Sequence, residues 1–119
     1  MKYSNKIFCE AFCEILKEKK IKLRSLALKT NLNYSYFSKL TKRKNPPPIE
    51  TIVNIANALE INPEYFIEYR INKLINILKN NPEIINDVII YANNLNKQLK
   101  VAEERDKFNN INNISKQKN

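Results

Sequence analysis

Apolar residues return at every third or fourth position through most of this chain, and that period predicts helices. Phe8, Cys9, Phe12, Ile15 and Leu16 form one stripe and predict a helix over 6–19. Glu14 and Glu18 lie beside the stripe and are expected to pair with lysines one turn away. Ile21, Leu23, Leu26 and Ala27 predict a second helix over 22–30. Asn31 follows it, where a positive φ is usually needed and asparagine is the best choice after glycine. Leu32 is expected to be buried in a tight turn. Phe37 and Leu40 then pin a third helix, 34–42, from beneath. That leaves Tyr34, Ser35, Ser38, Lys39 and Lys42 on its outer face. Asn33 stands at the N-cap position of this helix, and Pro46-Pro47-Pro48 rule out its continuation. Ile49, Ile52, Val53, Ile55, Ala56 and Leu59 make a broad apolar face on a fourth helix, 49–60.

Two further helices begin at a repeated signal. Asn62-Pro63-Glu64 and Asn81-Pro82-Glu83 each supply an N-cap, a proline for the first helical position and an acid in the first turn. They predict helices over 63–79 and 82–107. Ile71, Leu74, Ile75 and Leu78 recur on the first. Ile85, Val88, Ala92, Leu95, Leu99 and Ala102 step by three and four along the second, a two-of-seven seam. Residues 109–119 carry little apolar content and read as a frayed tail. The expected organisation is all-α: a compact domain at 1–67, a C-terminal helical hairpin or dimerisation helix at 68–107, and a flexible tail at 108–119.

Charge adds what periodicity cannot. Residues 1–45 hold twelve Lys and Arg against three Glu, whereas residues 46–119 hold nine of each sign. The whole excess of nine positive charges therefore surrounds the short turn between the second and third helices. A basic region on an otherwise balanced chain is the electrostatic footprint of a nucleic-acid binder. A short helix packed from below and polar above suits a DNA major groove. Other chemistries find little support. The chain has no His and no Gly, so it offers neither a phosphate-cradling loop nor a nucleophile–base pair, and no enzyme is expected. Cys9 and Cys13 share one helix face without further ligands, which leaves a metal site incomplete and favours packing as small hydrophobes. No cofactor is expected. The N-terminus lacks the apolar run of a signal peptide, and no segment reaches the ~18 apolar residues of a membrane span. The chain is expected in the cytoplasm.

The order Leu26-Ala27, Leu32, Tyr36-Phe37-Ser38-Lys39-Leu40, a basic loop with proline, Ile49-Glu50-Thr51-Ile52, Ile55-Ala56-Asn57-Ala58-Leu59 and Asn62-Pro63-Glu64-Tyr65-Phe66 closely resembles the lambda-repressor-like domain of the Cro/C1 or XRE family. These are bacterial and phage transcription regulators. The resemblance spans roughly residues 7–67. It implies a five-helix domain that binds operator DNA, usually as a dimer, with helix 34–42 in the major groove. By position it makes Tyr34, Ser35, Ser38 and Lys39 the base-reading residues. It makes Lys22, Arg24, Asn33, Tyr36, Lys42, Arg43 and Lys44 backbone contacts. The chain departs from the family pattern at Leu23, where a polar residue is usual, and at Asn31, Thr41 and Arg43.

The two C-terminal helices lie beyond the resemblance. Their seam is apolar enough to seek a partner, and homodimerisation through Ile71, Leu74, Ile75, Leu78, Ile85, Val88, Ala92, Leu95 and Leu99 is the expected use. Folding back on the first domain, or capture of an antagonist peptide or protein, would use the same residues. The leading expectation is a sequence-specific regulator of transcription, a repressor. The alternative is an antitoxin or adaptor whose helical tail binds a partner protein.

Overall fold

The computed structural model describes residues 2–117, with side chains through Asp106, and the described residues are all-helical without a strand. Four helices come first: α1 (Phe8–Lys19), α2 (Leu23–Thr30), α3 (Tyr34–Leu40) and α4 (Ile49–Ala58). A short 3-10 turn at Pro63–Tyr65 leads into α5 (Ile67–Asn80). A second such turn at Pro82–Ile84 leads into α6 (Ile85–Gln117). The chain divides into two compact units between Ile77 and Leu78.

The first unit owes its core to the stripes. Phe8 and Phe12 of α1 meet at 5.5 Å between ring centres, Phe8 meets Phe66 at 4.6 Å, and Phe12 meets Phe37 at 6.1 Å. Leu26, Leu40, Ile52, Ile55 and Leu59 fill the space around these rings and are fully buried. Such close-packed aromatic clusters contribute through area and through edge and offset geometry. Cys9 and Cys13 are free and half-buried beside this core. Burial pushes the Cys13 thiol up, and its S–H donates to the Thr41 carbonyl at 3.8 Å.

Three differences from the periodicity have local causes. The helix expected over 63–79 is split at Phe66, whose backbone is extended (φ −87°, ψ 130°) and whose ring is thereby turned into the core. Asn62 caps the turn before it as expected, its side chain accepting the Glu64 N–H at 2.9 Å. The helix expected to end at 107 runs to Gln117, because no proline or glycine follows Pro82 to stop it. Residues 118 and 119 of the expected tail lie outside the described residues. Finally, Glu14 and Glu18 pair with Lys6 and Lys2, before the helix, rather than with lysines one turn away.

Those two ion pairs belong to a strap that periodicity does not reveal. Residues 2–7 run along the first unit with Ser4 buried, its N–H donating to the Tyr65 carbonyl at 2.9 Å. Arg70 of α5 donates to the Ser4 carbonyl at 2.6 Å and lies 4.9 Å above the Tyr3 ring. Glu68 accepts the Phe8 N–H at 2.9 Å and so caps α1 from sixty residues away. The first turns of α5 are therefore part of the first unit.

Candidate nucleic-acid interface

The turn between α2 and α3 is organised by one hydroxyl. Thr30 is buried and donates to the Leu26 carbonyl at 2.8 Å, while accepting the Leu32 N–H at 3.3 Å. Asn54 of α4 donates to the Thr30 carbonyl at 3.3 Å. Asn31 takes the left-handed conformation (φ 59°) that the missing glycine would otherwise supply. Leu32 is half-buried against the core. Two short helices are thus fixed at one corner by threonine, asparagine and leucine.

Phe37 and Leu40 anchor α3 from below, both buried. Tyr34, Ser35 and Lys39 remain exposed on its outer side, and Ser38 is half-buried. The expected outward set is therefore brought together on one face. Tyr36 is turned elsewhere: it is half-buried and packs edge-on against Phe37 at 5.7 Å. Its ring supports α3 from the side. Asn33 occupies the N-cap position with the expected extended backbone, but its side chain makes no capping bond. The helix ends at Leu40, two residues before the expected 42, and beside its last turn the Thr41 hydroxyl donates to the Ser38 carbonyl at 2.7 Å.

The basic loop follows directly, with Lys42, Arg43 and Lys44 all exposed. Arg43 is also engaged within the loop. Its Nε donates to the Asn45 carbonyl at 2.9 Å and one terminal nitrogen donates to the Pro46 carbonyl at 3.2 Å. Two of the guanidinium's donor groups thus hold the loop's shape. Lys22 and Arg24 are exposed at the start of α2. The Arg24 guanidinium lies 5.8 Å from the centre of the Tyr34 ring, a cation–π distance. The two sets of cations therefore flank α3, one toward its start and one beyond its end.

No Asp or Glu occurs between Glu18 and Glu50, a stretch with nine Lys and Arg. Cations on both flanks of an exposed helix face, in a stretch without acids, attract a polyanion. Leu28 was not singled out by the periodicity, yet it is the surprise of the corner at 83% exposed. Its position two residues after the buried Leu26 places it on the opposite side of α2. A wheel drawn for that helix alone gives the signal, although nothing in the pattern tells an idle leucine from a used one.

The residues expected to dimerise lie apart from this corner in sequence. On α5, Ile71, Leu74 and Ile75 are exposed and Leu78 is half-buried. On α6, Ile85, Ala92, Leu95 and Leu99 are exposed and Val88 is half-buried. Among the described residues no group of side chains is placed to hold a metal ion, and no helix is long and apolar enough to cross a membrane.

Neither a curated protein nor a solved structure matches the chain. The family model for the Cro/C1-type HTH DNA-binding domain matches residues 13–70. The matched stretch contains the Thr30 turn, the exposed face of α3, the acid-free basic window and, of the buried phenylalanines, Phe37 and Phe66. Residues 13–70 of the chain are thus a Cro/C1-type helix-turn-helix DNA-binding domain.

Proposed function

We propose that the chain is a sequence-specific regulator of transcription, a repressor, that binds double-stranded operator DNA with α3 in the major groove. The observation that carries this reading is the outer face of α3, polar and exposed, set between two groups of cations with no acid from Glu18 to Glu50. Tyr34, Ser35, Ser38 and Lys39 read base edges. Lys22, Arg24, Asn33, Lys42, Arg43 and Lys44 hold the phosphate backbone, and Tyr36 serves by bracing the helix.

Two copies act together. Family members read half-sites about one helical turn apart, ~34 Å. The apolar residues of α5, and separately those of α6, are available to a second copy. α5 in particular buries none of its fourteen residues, although Ile71, Leu74, Ile75 and Leu78 line one side. A regulator of this kind works in the bacterial or phage-infected cytoplasm. The second reading, an antitoxin or adaptor, draws on the same apolar residues: there a partner protein takes the place of the second copy.

Selection of bound fragments from random DNA, with sizing of the complex, tests both parts. The expected result is an inverted repeat bound by two chains. Recovery of no preferred sequence would remove the DNA-reading role and favour the adaptor. Recovery of a single half-site bound by one chain would remove the dimer only.

A further inference from the structure

The corner between α2 and α3 holds a groove of about 510 Å³. Arg24, Ala27, Leu28, Leu32, Asn33 and Tyr34 line it. A single exposed leucine is ordinary. Here Leu28 shares one groove with Ala27, Leu32 and Tyr34, beside Asn31 and Asn33, so several apolar side chains meet next to the reading face of α3. Its rim is cationic, since Arg24 lies over Tyr34 and the surrounding sequence carries no acid. An apolar floor with a cationic rim fits an apolar group carried on a polyanion.

The reading face narrows the identity of that group. The sequence of α3 is Tyr-Ser-Tyr-Phe-Ser-Lys-Leu, with no Asn, Gln or Arg. It therefore lacks the amide that pairs bidentately with adenine and the guanidinium fork that pairs with guanine. Serine hydroxyls donate or accept with any base and discriminate weakly. Lys39 suits the acceptors of guanine. The remaining distinctive feature in the major groove is the C5 methyl of thymine, which is read by apolar contact.

Resting on the DNA-reading role proposed above, we infer that the Leu28–Tyr34 groove is a thymine-methyl site, so that each operator half-site carries a thymine at a fixed position facing the start of α3. Leu28 and Tyr34 make the contact. Arg24 is a positioning residue: its guanidinium steadies the Tyr34 ring while reaching the phosphate backbone.

Replacing thymine by uracil removes the methyl and leaves base pairing intact. The test substitutes uracil one thymine at a time along the fragment selected from random DNA, with binding read by fluorescence anisotropy. For the unaltered protein, one thymine per half-site is expected to matter, with binding about four-fold weaker per methyl lost, the value of one buried carbon. Leu28→Ala and Tyr34→Ala are expected to abolish sensitivity at that position and leave the other thymines as they were. Both side chains are exposed, so the thermal melts of the variants should match the parent; Leu28→Met, which keeps an apolar contact, should keep the sensitivity. A flat uracil scan, or sensitivity that survives in both alanine variants, would overturn the inference while leaving sequence-specific binding intact. Failure to select any preferred sequence would overturn both.

Discussion

α4 and α5 are both amphipathic, and they spend their apolar residues differently. α4 buries Ile52, Ile55 and Ala56 against the aromatic cluster within ten residues of chain. α5 buries none in fourteen, yet Ile71, Leu74 and Ile75 recur on it with the same period. The period thus marks a surface that prefers to leave water without saying which surface receives it. For α4 the receiver is the chain itself. For α5, and for α6 with its exposed Ile85, Leu95 and Leu99, the proposed receiver is a second copy.

Substitutions separate the two kinds of surface. The largest effect on folding is expected at the shared core: Phe37→Ala should cost about 3–5 kcal/mol in a denaturant titration, the range for a buried phenylalanine. Leu74→Asp combined with Leu99→Asp should instead leave the first unit folded and halve the mass of the solution species by light scattering. A loss of folding as large as that of Phe37→Ala would show that these residues pack within one chain and would break the comparison. At the DNA surface, Lys39→Ala should cost about 1–3 kcal/mol on the selected site and much less on scrambled DNA. Arg43→Ala should weaken both DNAs and lower the salt slope by about one. Because Arg43 also closes its own loop, Arg43→Lys should restore the slope but not the full affinity.

Smaller effects sharpen the account of the first unit. Glu60 stands at the end of α4 with φ 57°, a conformation that disfavours any side chain but glycine's. Glu60→Gly should stabilise by about 1 kcal/mol in thermal melts, the lower end of the left-handed penalty. The smallest effect concerns acid. Lys73 beside Glu64 holds that carboxyl below the usual carboxylate range. The pair therefore stabilises the fold at pH values above the usual carboxylate pKa, and this contribution is lost as pH falls through the lowered value. Glu64→Gln should flatten that part of the stability profile, by only a small amount because the pair is exposed.

The helices of the first unit were legible because their stripes are local: Phe8, Phe12, Ile15 and Leu16 need only one another's spacing to be recognised. The turn was legible for a similar reason, since Asn31 is the residue able to replace glycine after α2. The split at Phe66 was not, because its cause is a pocket assembled from α1. The strap was hidden altogether: Ser4, Glu68 and Arg70 are unremarkable in sequence, and their bonds span sixty residues or more. Glu60 escaped notice because a glutamate carries no turn signal of its own. At the site, the outward set on α3 followed from Phe37 and Leu40 facing inward. The internal bonds of Arg43, the bracing role of Tyr36 and the exposure of Leu28 depend on neighbours that only the folded corner supplies.

The strap has a consequence for how the chain comes into being. The start of α1 is capped by Glu68, sixty residues later in the chain. On a ribosome adding roughly 5–20 residues per second, that partner arrives about 3–12 s after Phe8. Small helical domains fold in microseconds to milliseconds once their residues are present. The opening segment thus waits on synthesis, with Phe8 and Phe12 available to chaperones throughout the interval, and a messenger truncated after codon 67 would yield a helix bundle whose first helix never acquires its cap.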